Sequence, residues 1–303
     1  MGRLRGIVMI ITGSMLWGAT GPMMELLLDY SKMTAEFMLA VRLIIAGIFI
    51  LGLLMSQKKD IFLIWRSRYF ATQLVIFSVL GMVGLQYTFV KSIEVSNAIV
   101  ATLLQFLAPI FIVIYVSVLH KAWPPKSQVI GIVGTLVGLY LLLTNGSFSS
   151  LLVGGDALIW GVFLGLTYAF YTLYPARLMK EIGVIMIIGW GMILSGIIFC
   201  VMGKVWQLEQ WQLLADPLNT SLIFGISIFG SIAYILFLTS LKYITPVETS
   251  ILSSFEPLTA MLISVVWLGS VIFQWQLVGI MLMLVFVAYL SISGGKKSNA
   301  INV

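Results

Sequence analysis

The sequence predicts an all-α integral membrane protein: ten transmembrane helices in two inverted five-helix repeats, with both termini in the cytoplasm (N-in/C-in). Three observations carry that expectation. First, 60% of the 303 residues are hydrophobic and only 9% are charged, and mean hydropathy is +1.09, whereas soluble domains carry charge on about a quarter of their residues. Second, apolar runs of about 20 residues, the length of a bilayer-crossing helix, recur from one end of the chain to the other. Third, lysine and arginine concentrate in alternate loops.

The elements follow in order. The first span, 6–28, starts behind Arg3 and Arg5 and contains Pro22. Its basic start resembles a signal peptide, but the run exceeds about 20 residues and has no small-residue cleavage site, so it is expected to stay as a membrane helix. The second span, 33–55, lies between Lys32 and the Lys58–Lys59 pair and contains Arg42. The third, 71–90, follows Arg66 and Arg68 and carries Gln86. The fourth, 96–119, holds Gln105 and Pro109 and ends at His120 and Lys121. The fifth, 127–145, contains GIVGTLVG, a small-residue spacing that permits close helix contact within the fold or in a homodimer. The sixth, 156–175, bears Tyr168 and Tyr171, and the seventh, 184–203, bears Cys200. The eighth, 220–242, carries Tyr234, the ninth, 246–269, carries Glu256 and Pro257, and the tenth is 274–294. None of these runs shows the alternation of a barrel strand, so each reads as a helix.

Orientation follows from the loops. With the N-terminus inside, Arg3, Arg5, Lys58, Lys59, Arg66, Arg68, Lys121, Lys126, Arg177, Lys180, Lys242, Lys296 and Lys297 fall on the cytoplasmic side, and only Lys32, Lys91 and Lys204 fall outside. Thirteen against three is a strong positive-inside bias. The net charge of +6 is thereby a matter of topology, with no nucleic-acid partner implied.

Residues 92–119 (SIEVSNAIVATLLQFLAPIFIVIYVSVL) and 240–268 (SLKYITPVETSILSSFEPLTAMLISVVWL) share a proline inside the helix, Pro109 and Pro257, and Gly131 falls in step with Gly279. LWGATG from Leu16 pairs with IWGVFLG from Ile159 if the second half carries an insertion. Residues 1–148 and 149–303 are accordingly expected to be two repeats. Five spans each, an odd number, make the second enter the membrane from the opposite side, the arrangement that lets secondary transporters exchange an inward-open cavity for an outward-open one.

The chain resembles the EamA-type members of the drug/metabolite transporter superfamily. The residues that carry the likeness are LWG in the first span, AVRLIIAG in the second, FEPLTAMLISVVWLG in the ninth and QLVGIMLMLVFVAYL in the tenth. The resemblance implies a multi-pass transporter of the cell membrane (the cytoplasmic membrane in a bacterium), moving amino acids, amines, carboxylates or similar metabolites, usually outward. One departure is visible. Many relatives carry an acid after the glycine that ends the ninth span; here Ser270 follows Gly269, and Ala122 holds the repeat-related position.

Arg42 and Glu256 both fall near mid-bilayer, where a charge costs about 2.5–3.5 kcal/mol and must face a partner or a wet cavity. Two readings stand side by side. Both charges line a central pathway, with Arg42 orienting a carboxylate and Glu256 binding an amine or carrying a proton, or they form a structural ion pair. Pro257, Pro109 and Pro22 lack N–H groups, so the carbonyls of Ser253, Gln105 and Gly18 are expected to be freed and the helices to hinge there. Thr249, Ser253, Glu256 and Ala260 share one helix face, as do Ala101, Gln105 and Ala108 in the fourth span. Gln86 and Tyr234 occupy related positions in the two halves, and Trp17, Tyr168 and Tyr171 are candidates to stack on an organic substrate. Glu25, Glu36 and Glu248 lie near span ends and are expected to be solvated, and His120 is read as an interfacial residue.

Other classes fare less well. One cysteine and one histidine are too few soft ligands for a zinc or iron–sulfur site, so no metal or cofactor is expected. No GxxxxGK[ST] loop is present to bind ATP. A membrane-embedded enzyme would need clustered acids or a nucleophile beside a base, and none is evident, so no enzymatic activity is expected. A passive channel or facilitator remains as the alternative to a carrier.

Overall fold

The computed structural model describes residues 2–147, 151–240, 243–244, 249 and 252–298. Among the described residues there is no strand. Eight helices among the described residues are long and apolar enough to cross a membrane: α1 (Gly2–Ser31), α2 (Ala35–Ser56), α3 (Arg68–Val95), α4 (Ala98–Leu119), α5 (Lys126–Thr144), α6 (Gly155–Ile182), α7 (Val184–Met202) and α8 (Pro217–Ser240). Two more apolar helices follow, α9 (Phe255–Leu268) and α10 (Gln274–Ser298). The start of the predicted ninth span, with Lys242 and Glu248, lies outside the described residues.

Local chemistry sets the helix ends. The Thr34 hydroxyl accepts from the Phe37 N–H at 3.3 Å to cap α2, and the Asn97 side chain accepts from the Val100 N–H at 2.9 Å to cap α4. Glu25, expected in solvent, is half-buried, and its carboxylate accepts from the Ala98 N–H at 2.7 Å. The unpaired N–H groups and positive end of the α4 dipole give it a partner that solvent would otherwise provide.

The loops sort into two ends. At one end Arg5 lies over the Tyr243 ring (5.5 Å), Arg177 over the Tyr69 ring (6.0 Å), and the Trp190 indole donates to the Ile61 carbonyl (2.8 Å). At the other, the Thr34 N–H donates to Gln210 and the Trp275 N–H to Asn145, both at 3.2 Å. The loops rich in lysine and arginine thus share one end of the molecule.

Packing between the halves is reciprocal. Helix α1 packs on α8 and α9, and α6 packs on α3 and α4. Helix α2 meets α8 as α7 meets α3, while α2 with α7, α4 with α9 and α5 with α10 pair directly. Glycines carry this reciprocity down to single contacts, because they let helix backbones approach closely. A methyl on Gly47 would strike Ile193 and the Gly189 carbonyl; one on Gly196 would strike Ile44 and the Ala40 carbonyl, so AVRLIIAG and GWGMILSG stand in register. A methyl on Gly18 would strike the Glu256 carbonyl and Thr259, and one on Gly165 would strike Phe111 and Leu107. The partner of Gly18 is therefore Gly165 and not Gly161: the shared Trp-Gly pair set the two spans out of register, and the large insertion that match required is not needed.

The small residues of α5 are used inside the fold, where Gly131, Gly134 and Gly138 press on Leu290, Phe286 and Met283 of α10. Two expected free carbonyls are re-engaged. The Ser253 carbonyl accepts from the Glu256 N–H at 2.9 Å, and that of Gln105 accepts from the Ala108 N–H. Tightening to a 3-10 turn replaces the hydrogen bond that each proline removes. Pro22 lies within an uninterrupted α1.

Candidate functional site

A cavity of about 300 Å³ lies between the halves, walled by every helix except α5 and α10. Eight of the nine expected pathway side chains meet there: Trp17, Arg42, Gln86, Gln105, Tyr168, Tyr171, Tyr234 and Glu256. Ser253 does not line it; it stands in the turn Ser253–Ser254 that precedes α9. The wall ends at exposed Thr172 and half-buried Met179 and Val184, so the cavity opens where α6 finishes and α7 begins, the end that carries Arg177 and Lys180.

Arg42 is 8% exposed. Its guanidinium donates from one nitrogen to Gln86 Oε1 and from the other to Met24 Sδ, both at 3.2 Å. Thioether sulfur is a weak acceptor and guanidinium carries five N–H groups, so donor capacity is left for the cavity. On the opposite wall the Gln105 amide donates to Glu256 Oε1 at 2.6 Å, and Oε2 has no hydrogen-bond partner among the described residues. Each charge is met by the matching end of a glutamine from a neighbouring helix.

The two charges do not pair with each other. No ion pair joins Arg42 to Glu256 among the described residues, and each has only the partners named above. Tyr234 lies within electrostatic reach of both. Its hydroxyl is 2.6 Å from that of Tyr171, and its ring meets Trp17 edge-on at 4.6 Å. Trp17 also leans on Phe237 at 5.4 Å, and Tyr168 stands 6.2 Å from Tyr171. An aromatic surface therefore connects a cationic pole to an anionic one.

Several wall residues were missed. Thr20 and Met24 follow Trp17 at helical spacing, and Ser227, Gly230, Ser231 and Tyr234 form a small polar stripe on α8. The same three-and-four rule that singled out α9 marks that stripe in the sequence. The π-helical stretch Phe77–Val83 of α3, just before Gln86, had no sequence signal; such bulges recur at functional sites. Among the described residues no group of three or more His, Cys, Asp or Glu is placed to hold a metal ion.

Comparisons with known proteins agree on the kind of molecule. The model of the EamA-like transporter family matches residues 4–144 and again 156–292. The chain is 31% identical to an uncharacterized inner membrane transporter, YicL, of Salmonella typhimurium, over 98% of each chain. It is 27% identical to an uncharacterized transporter of Bacillus subtilis, YwfM, covering 96% of this chain and 95% of that one. A solved crystal structure of a protein shares the fold at a TM-score of 0.60 and 12% identity, covering 96% and 97% of the two chains.

Proposed function

The chain belongs to the EamA-like transporter family and is a multi-pass protein of the cell membrane; from that premise we propose that it is a secondary transporter that exports a small organic metabolite by alternating access. The substrate class is an amino acid, amine, carboxylate or related compound. One observation carries the reading. The cavity between the halves holds two opposite charges, Arg42 and Glu256, that are hydrogen-bonded to glutamines and not to each other. A purely structural pair would neutralise itself, whereas here each pole keeps capacity for a ligand.

The architecture proposed with it is ten spans in two inverted repeats, N-in/C-in. Support comes from the reciprocal packing of the halves, from the family match in two successive stretches and from the basic loops gathered at one end. In this conformation the cavity is open toward that end, which on this reading is the cytoplasm. A carboxylate would lie against Arg42, an ammonium against Oε2 of Glu256, and apolar parts against Trp17, Tyr168 and Tyr171. Glu256 is also the residue placed to exchange a proton with the pathway.

The test is thermal stability of the purified protein against a panel of amino acids, amines, carboxylates and nucleosides. A ligand at 100 times its dissociation constant stabilises the native state by about 2.7 kcal/mol. Zwitterions, amines or carboxylates are expected to raise Tm, with the rise lost in Glu256→Gln for compounds bearing an amine. Saturable counterflow of the selected compound in vesicles then separates a carrier from a passive pore. If Glu256 carries the coupling proton, Glu256→Gln abolishes pH-driven uptake and leaves counterflow measurable; equal loss of both would remove the coupling role.

A further inference from the structure

We propose that Gln105 is a conformational latch, whose bond to Glu256 holds the cavity open at the α6–α7 end until a cationic group of the substrate takes the carboxylate. The inference rests on the alternating-access reading above. Helices α4 and α9 pack directly on each other, and both lose helical regularity at the level of this contact. Gln105 opens the 3-10 turn Gln105–Leu107 that precedes Pro109, and Glu256 stands between the turn at Ser253–Ser254 and Pro257. A side-chain bond of 2.6 Å thus spans two halves at the point where each helix has a break that can absorb backbone rotation.

Symmetry then makes the bond specific to one state. When two inverted repeats exchange conformations, a contact between a residue of one half and a residue of the other is replaced by the contact between their counterparts. In the register set by Pro109 and Pro257, the counterpart of Gln105 is Ser253 and that of Glu256 is Ala108. The side chain of alanine has no polar atom to bond, so the exchanged conformation contains no equivalent of this side-chain link. A contact present in one state alone biases the equilibrium toward that state by its full differential energy. An ammonium on Oε2 of Glu256 draws on the same carboxylate charge and weakens the Gln105 bond to Oε1, which ties occupancy to the conformational change.

The experiment needs no identified substrate. In a Cys200→Ser background, single cysteines report on the two ends: Met179→Cys at the cavity mouth, and Leu28→Cys, 8% exposed, at the closed end. Labelling by a hydrophilic maleimide is followed in membranes opened to reagent on both sides, for Gln105→Leu, Glu256→Leu and the double variant. The latch predicts that each single variant raises labelling at position 28 about tenfold, the weight of one charge-assisted hydrogen bond. Labelling at 179 falls in the same variants, and the double variant shifts no further than either single one. Gln105→Asn, one methylene shorter and still polar, gives the same shift and guards against a folding defect of the leucine variants. Unchanged labelling, additive shifts, or a rise at both positions together would overturn the latch while leaving counterflow, and with it the carrier reading, intact. Equal reactivity of both positions in the native protein would instead mean a path open at both ends, and the alternating-access reading would fall with the latch.

Discussion

Where one half of the chain places a charge or an amide in the cavity, the other half places something different. Arg42 on α2 corresponds to Gly191 on α7, Gln86 on α3 to Tyr234 on α8, and Glu256 on α9 to Ala108 on α4. The first half supplies the cation and both glutamines, and the second supplies the acid and three tyrosines. Close-approach glycines behave in the opposite way, since Gly18 and Gly165, and Gly47 and Gly196, make corresponding contacts. The difference has a physical basis. Packing can be repeated at no extra cost, but each mid-membrane charge costs about 2.5–3.5 kcal/mol, and a repeated one would face its like across the cavity. Symmetry is kept by the scaffold and given up by the pathway.

The hardest test of that division is to remove the charges. Arg42→Ala should weaken substrate binding by about 2–5 kcal/mol, the usual loss when one member of a buried charged contact is truncated, while changing stability much less. Because the two charges are not paired, the stability losses of Arg42→Ala and Glu256→Ala should add in the double variant to within about 0.5 kcal/mol. Thermal unfolding of the four proteins measures this. A double variant more stable than Arg42→Ala alone would restore the ion-pair reading and erase the contrast between the halves.

How much of this was visible in the sequence depends on the kind of signal. Arg42 and Glu256 stood out because charge inside an apolar run is rare, Gln105 because its helix face corresponds to the one that carries the acid, and Gln86 because it holds a position related to that of Tyr234. What was hidden lay in the backbone. Ser253 shares a face with Glu256 on an ideal helix, but Ser253 and Ser254 form a turn, and Ser253 is not on the wall. The carbonyls freed by Pro109 and Pro257 found i+3 partners, which a rule about i+4 bonds cannot foresee. Met24, which has no polar group to draw notice in an apolar run, lines the cavity and accepts from Arg42 through its sulfur. The register of the first and sixth spans failed because a tryptophan match outweighed the glycine that makes the contact.

That register gives an intermediate test. At Gly18 an added methyl meets a backbone carbonyl, that of Glu256, which cannot swing aside; at Gly165 its nearest neighbour is the edge of the Phe111 ring at 2.7 Å, which can tilt, with Leu107 Cβ at 2.9 Å. Gly18→Ala should therefore cost about 1–3 kcal/mol from overpacking, and Gly165→Ala distinctly less. The pair sharpens the comparison, since equivalent positions in one scaffold would differ through the softness of what they touch. Equal losses would mean that the helices separate freely at both contacts.

The smallest effect is expected at the tyrosine pair that the second half places beside the Arg42–Gln86 contact of the first. The Tyr171 and Tyr234 hydroxyls bond at 2.6 Å, and Tyr171 is 8% exposed. A neutral hydrogen bond contributes about 0.5–1.5 kcal/mol net, but a buried hydroxyl deprived of its partner pays a desolvation cost that the intact pair avoids. Tyr234→Phe strands the Tyr171 hydroxyl in this way, whereas replacing both tyrosines by phenylalanine removes the two polar groups together and keeps the aromatic surface. The double variant should accordingly be as stable as Tyr234→Phe alone or more so, by thermal unfolding, and apolar contact with a ligand should survive in it. A double variant weaker than the sum of its single changes would mean that the hydroxyls bear on Arg42 and Glu256 as well as on each other, and that the aromatic wall and the charged poles act as one unit.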